Sequence, residues 1–383
     1  MSMHFWGDLV IGLSPIKNSF QFPSSVTYYE RALDILKICM DYSAGHPLSI
    51  YLFMDSSYYA EEHIFVVDIL DALIGQSMRW QKVHFHLQEV ELQRLHRVKG
   101  HLPLLQSITL TRIYDPYYAG KLVNERFADS FSDSPSLTHL HVSAITTWKF
   151  DWSLILVPKL LEPLMDEENL LSILPQATRL EELELGGAND YSRPIHERIR
   201  SVVTLPSLKK LVFHGLYMMG VLAAPNLVHL SLVSYGSSYG DGPAKALIVS
   251  FIRRSSCPTV EHLQLWGLRP GIVAEVLPLF PSLIRLQVHS RDLKGLIASL
   301  NWNETPRVPR LKSLEISSPD YLHRESVAGL SAIVASRARN PEVGLQELVV
   351  STHGSPFDVD LMVLQQKCDE QGVKLTVSLV KMP

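Results

Sequence analysis

Cysteine is scarce in this chain: three thiols, Cys39, Cys257 and Cys368, in 383 residues. They stand far apart and match no zinc spacing, which excludes a disulfide framework and a cysteine-built zinc site. Such usage points to a reducing compartment, cytoplasm or nucleus. No basic-then-apolar leader opens the sequence, and no apolar run nears the ~20 residues that cross a bilayer, so no membrane partner is expected. A surplus of one charge is also missing. Lys and Arg total 35 against 39 Asp and Glu, a formal net charge of −4; nothing global invites nucleic acid. Catalytic signatures are absent as well: no Walker loop, no GxGxxG after a strand, no GxSxG elbow, no HExxH. "YGSSYGDG" (235–242) has glycines but no lysine to hold a phosphate, and reads as a plain loop. The paired acids Asp358 and Asp360 fall at an expected helix start, where carboxylates suit the dipole. Sixteen histidines raise the metal question. "HFH" (84–86) and "HLH" (139–141) each set two rings on one strand face, but no third ligand is evident, so they read as occupants of a half-polar face. No enzyme, cofactor or metal is expected.

What the chain has in abundance is one phrase. "LPSLKKLVF" (205–213) returns as "APNLVHLSL" (224–232), "FPSLIRLQV" (280–288) and "VPRLKSLEI" (308–316). Each reads as a small or apolar residue, Pro, x, Leu, x-x, Leu, x, apolar. Its last positions alternate apolar and polar, the period of a strand with one buried face. The proline cannot donate to a ladder and so sits at the strand entry. Clear copies begin at Leu105, Leu137, Leu180, Leu208, Leu227, Val260, Leu283, Leu311 and Leu345. Their steps run from about 19 to about 43 residues, with a mean near ~30. The longest step implies a degenerate copy at "DWSLILVP" (151–158). Weaker copies reach back to "WQKVHF" (Trp80, Val83, Phe85), "PLSIYL" (Ile50, Leu52) and "WGDLVI" (Trp6, Leu9, Ile11), while "VKLTVSLV" (373–380) closes the series.

Helical patterns lie between the strands. Leu33, Leu36 and Met40 share a face in 24–43; Leu247, Ile248, Phe251 and Ile252 do so in 242–255. Val327, Leu330 and Val334 form a third such face, and Leu361, Leu364 and Cys368 a fourth that stops at Gly372. Strand and helix alternating at this pitch predict an α/β fold: a leucine-rich-repeat solenoid of about 13 irregular repeats. Its parallel sheet is expected to line the concave side and its helices the convex side. The whole of 1–383 reads as one such domain, with divergent repeats in 1–100 and clearer ones in 101–383.

The order of "FWGDLVI" (5–11), "HPLSIYL" (46–52), "MRWQKVHFHL" (78–87) and "HLPLLQSITL" (101–110) resembles the fungal F-box/leucine-rich-repeat proteins. The likeness covers the repeat region only; the F-box that precedes it in that family is missing. It implies the substrate-recognition part of a cullin-RING ubiquitin ligase, in which the F-box holds a Skp-type adaptor. Residues 1–383 alone are then expected not to bind that adaptor. The alternative is a free-standing leucine-rich-repeat scaffold or decoy with no ligase link, for which a truncated gene model is one origin. One departure from the repeat family is plain. Three residues after the last strand leucine, where the standard repeat has Asn or Cys, stand Ile113, Ile145, Ala188, Leu216, Tyr235, Leu268, Arg291, Pro319 and His353. Without an asparagine ladder the turns are expected to be irregular.

Any partner must be read by the strand residues that point away from the core. The position before the middle leucine gives a cationic run, Lys210, His229, His262 and Arg285, with Glu182 and Glu347 outside it. Two residues on come Gln264 and Gln287; two further on come Trp266 and His289. Two readings stay open: a solvated face of mixed polar residues, or a recognition patch anchored by Trp266. The second reading expects an acidic protein segment across Lys210 to Arg285, bound more tightly as the pH falls toward 6 and the two histidines protonate. The chain is expected to be a monomer.

Overall fold

Apolar residues two apart, repeated from strand to strand, build the sheet. The computed structural model describes residues 8–13, 25–43, 45–54, 63–112, 129–143, 149–160, 167–186, 202–234, 241–256, 259–300, 308–318, 324–337, 344–352 and 358–379. The chain divides into two compact units, Met1–Leu180 and Glu181–Pro383.

In the first unit β1 (Asp8–Leu13), β2 (Leu48–Met54), β3 (Trp80–Leu87), β4 (Ser107–Arg112), β5 (His139–Val142) and β6 (Val157–Leu160) lie side by side in chain order, all parallel. The register stacks like on like. Leu9, Ile50, Val83, Ile108 and Leu140 form one ladder; Ile11, Leu52, Phe85, Leu110 and Val142 form the next. From β2 to β5 these side chains are buried, each contributing on the order of 1.5–3 kcal/mol. The helices are α1 (Ser25–Tyr42), α2 (His63–Ile74), α3 (Glu89–Leu92) and α4 (Glu167–Ile173). Trp80 fixes β3 against α2, its Nε1 donating to the Leu73 carbonyl at 3.1 Å. Arg79 beside it donates to the His46 carbonyl at 3.0 Å and to Ser43 Oγ, tying the end of α1 to the entry of β3. The Arg-Trp pair of the sequence is therefore a clamp.

The second unit holds β7 (Glu182–Leu185), β9 (Lys210–His214), β11 (His229–Val233), β12 (His262–Trp266), β13 (Arg285–His289), β14 (Ser313–Ser318), β15 (Glu347–Thr352) and β16 (Lys374–Leu379) in one parallel sheet. Two short strands, β8 (Val203–Thr204) and β10 (Leu222–Ala223), pair with each other apart from it. The ladder Leu183, Leu211, Leu230, Leu263, Leu286, Leu314, Leu348 runs in register across the sheet. Leu208, Leu211, Phe213, Leu283, Leu286 and Val288 are all buried, as the repeat pattern requires. Lys210 and Arg285 take the opposite face, half-exposed and exposed. α5 (Asp241–Ser255), α6 (Pro270–Val276), α7 (Leu293–Leu300), α8 (Arg324–Arg337) and α9 (Asp358–Glu370) supply the helical layer. The Phe213 ring meets Phe251 of α5 edge-on at 5.8 Å, which puts helices and buried ladder on the same side. Leu247, Ile248, Phe251 and Ile252 are buried, as are Val327, Leu330, Val334, Leu364 and Cys368.

The irregular steps have physical causes. Between β9 and β11 the chain is too short for an α-helix and makes a 3-10 turn, Tyr217–Gly220, instead. Arg254, in the last turn of α5, reaches across to it, donating to the carbonyls of Met219 and Leu222 and to Ser250 Oγ. Arg254→Ala is expected to cost about 1–3 kcal/mol in chemical denaturation, while the exposed neighbour Arg253→Ala stays within about 0.5 kcal/mol. The degenerate repeat is displaced from its expected place. Strand β6 starts at Val157, and the register pairs Leu140 with Pro158 and Val142 with Leu160. The copy is thus Ile155, Pro158, Leu160, with a buried proline where the middle leucine belongs; its missing N–H disguises the strand in sequence. Of the turn positions lacking asparagine, Leu216 and Leu268 are buried and Arg291 is exposed. The other six, with Trp6, Cys257 and most of 235–242, lie outside the described residues.

Candidate partner-binding face

Strand alternation leaves every second side chain on the face without helices. In Glu181–Pro383 the parallel register gathers these residues into straight rows. The first row runs Glu182, Lys210, His229, His262, Arg285, Ser313, Glu347, Lys374. The sequence-derived run Lys210, His229, His262 and Arg285 therefore occupies four adjacent strands at one level, spanning roughly 14 Å. The second row contains Gln264 and Gln287, the third Trp266 and His289, again on adjacent strands.

The charges in the first row are not equivalent. Lys210 Nζ lies 2.9 Å from Glu182 Oε2, with both side chains about two-fifths exposed (42% and 43%). An ion pair this wet is worth about 0.2–1 kcal/mol, yet it draws the lysine charge to the side away from the histidines. His229 and His262 stack on each other, ring centroids 5.7 Å apart and planes 18° from parallel. Burial first, then the nearby His262 and Lys210, hold the His229 imidazole below its ordinary range. Arg285, exposed, has no ion-pair partner among the described residues. At the row's far end Glu347 accepts from Ser313 Oγ at 3.1 Å and faces Lys374 Nζ at 3.4 Å. The available fixed positive charge thus centres on Arg285.

Trp266 is half-buried rather than fully exposed. Its indole stacks on His289 at 4.8 Å and 16°, and its Nε1 is buried with no hydrogen-bond partner among the described residues. His289 Nδ1 lies 3.2 Å from Ser317 Oγ, and Gln287 Nε2 donates to Glu315 Oε1 at 3.0 Å. The arrangement offers a flat aromatic shelf about four residues along the strands from the cationic row, roughly 13 Å. Gln264, half-buried, stands between them.

No family model matches the chain, and no curated protein does. Among solved structures it is similar to the crystal structure of a Bacteroides fragilis protein determined as a structural-genomics target. That match covers 82% of this chain and 78% of the other, with 15% identity and a TM-score of 0.42. At that score the likeness carries no argument.

In Met1–Leu180 the copies beginning at Leu105 and Leu137 already align Ser107 with His139 and Thr109 with His141, and the register adds the neighbouring strands. There Tyr51, His84, Thr109, His141 and Lys159 form one level, and Lys82, Ser107 and His139 the level before it. The weaker copy at β3 falls outside the rows that the clear copies define, so the sequence does not set its histidines beside those of β5. Superposing the repeats at Val83, Ile108 and Leu140 would have brought them together. Among the described residues, no three ligating side chains converge on a metal-sized point, and no helix is long and apolar enough to cross a membrane.

Proposed function

We propose that this chain is a protein-binding repeat module, and that its partner lies on the helix-free sheet face of Glu181–Pro383. The observation that carries the reading is the juxtaposition of the Arg285 charge, beside His262, with the Trp266–His289 shelf on two adjacent strands. None of these side chains is needed for the core, since the leucine ladder on the other face supplies it. Arginine beside a large aromatic ring is the usual make-up of an interface hot spot. An acidic segment with an apolar side chain fits both features. By the resemblance of its motif order, the module is the substrate-recognition part of an F-box protein in a cullin-RING ubiquitin ligase; a free-standing scaffold is the alternative.

The test begins with partners captured from the source organism, then purified and titrated singly. Arg285→Glu/Trp266→Ala is expected to weaken a true partner at least ~30-fold, in keeping with a hot spot of about 2 kcal/mol or more. Arg253→Glu, on the helical side, is expected to bind like the wild type. Equal binding by all three proteins would dispose of the patch. The ligase role is tested separately, by reading the genomic sequence upstream of Met1. An in-frame F-box supports it, and close stop codons favour the scaffold.

A further inference from the structure

The outward positions of β2 to β6 carry ionisable charge of one sign. They hold Lys82 and Lys159, four imidazoles and no carboxylate. The second unit differs, since Glu182, Glu184, Glu315 and Glu347 stand among its cations. His84 and His86 project from β3, His139 and His141 from β5, so the two pairs stand two strand spacings apart, roughly 10 Å across the strands. Two aromatic side chains of β2 border them. Tyr51 lies 5.9 Å from the His84 ring and Phe53 lies 4.7 Å from it. His86 Nδ1 is held 2.7 Å from Thr111 Oγ1, and His139 Nδ1 2.9 Å from Thr138 Oγ1, contacts that orient the rings without neutralising them. Within Met1–Leu180 the nearest acidic position in the register is Asp8 on β1, which pairs with Ser49 and is two strands from Lys82.

The geometry points to a second docking face, which takes an acidic, partly aromatic protein segment and holds it more tightly as the pH falls. Charge complementarity selects the occupant. Two lysines among neutral rings are too few fixed cations to hold a nucleic-acid backbone, whose affinity rests on many phosphate contacts. Imidazoles instead gain charge as the pH falls, and at a higher pH when an anion lies over them. His84 titrates below the ordinary imidazole range because it is partly buried and because His141 and His86 stand near; burial lowers His86 too. Both rings are therefore neutral near pH 7 in the free protein. Carboxylates laid over them favour the protonated rings, so binding takes up protons. The affinity then rises as pH falls from about 7.5 through ~6.5, and levels off once the free rings are themselves protonated. The aromatic border supplies apolar contact for the segment's own rings.

A fluorescein-labelled ten-residue peptide alternating glutamate and phenylalanine is the probe, titrated with the full chain at pH 7.5, 6.5 and 5.5. Its glutamates, with an ordinary pKa near ~4.3, stay ionised throughout. Binding is expected to be about tenfold tighter at pH 5.5 than at 7.5, the gain from raising one or two imidazoles by about a unit in total. Lys82→Glu and, separately, His139→Gln, both at exposed positions, are expected to weaken it about three- to tenfold at pH 5.5 with unchanged thermal melting. Arg253→Glu serves as the control. Binding that ignores pH, or survives both substitutions, overturns the proposal. So does loss on Arg285→Glu with none on Lys82→Glu, which assigns the peptide to the other unit's face and leaves the proposed function standing. A single-stranded oligonucleotide of equal charge that binds more tightly than the peptide at pH 5.5 overturns it as well.

Discussion

Phe213→Ala is expected to lower the unfolding free energy of the Glu181–Pro383 unit by about 3–5 kcal/mol. The ring is 1% exposed. It sits in register between Leu185 and Leu232 and meets Phe251 of α5 edge-on. Truncation removes most of the side chain and leaves a cavity between sheet and helix that neither can close, because both are held by neighbouring repeats. Val212→Ala, one residue away on the helix-free face and only half-buried, is expected to cost less than about 1 kcal/mol. Urea denaturation followed by circular dichroism measures both. A Phe213 effect below about 1 kcal/mol, or equal effects at the two positions, would refute the two-faced strand.

Gly267→Ala is the second large effect, at about 2–4 kcal/mol. Gly267 has φ +70°, where an L side chain is strained, and a Cβ there would run into the backbone carbonyl of Ser234 well inside contact distance. Neither chain can give way easily. Ser234 N–H donates to the Trp266 carbonyl at 2.8 Å, and Gly267 N–H donates to the His289 carbonyl at 3.0 Å. The strain therefore falls on the strand end that presents Trp266. Gly271, near the start of α6 with open space around its Cβ position, is the control; Gly271→Ala is expected to be neutral or stabilising by up to ~1 kcal/mol. Chemical denaturation of the two variants side by side checks the contrast. A Gly267→Ala protein as stable as wild type would mean that the β11 and β12 ends do not approach as closely as described.

The ladder residues were legible because burial and period two speak in the same positions. Leu211, Leu230, Leu263 and Leu286 could be aligned by eye, and alignment of repeats is register in a parallel sheet. Where the signal was broken, one residue type had broken it. Pro158 replaces a strand leucine, so the repeat at β6 was sought a few residues too early. The face itself was legible as membership, since Lys210, His229, His262, Arg285, Trp266 and His289 all project from it. Their states were not legible. That Lys210 turns to Glu182, that His229 stacks on His262, and that the Trp266 indole is half-covered by His289 depend on rotamers and on which neighbour wins a charge. No spacing in the sequence encodes those outcomes.

Because each strand adds one fixed increment to the sheet, distance across the face comes in whole steps of about 4.8 Å. Each repeat touches chiefly its neighbours, so a complete unit can be gained or lost while the ladders on either side close up again. Excising the repeat that contains β12 would set His229 beside Arg285 and Val233 beside His289. One cation spacing would shorten, Trp266 would vanish, and Leu230 would meet Leu286 where it now meets Leu263, an apolar neighbour of the same kind. Gene duplication and deletion can thus retune what this face reads in discrete jumps, a route to new specificity that does not pass through a destabilised core.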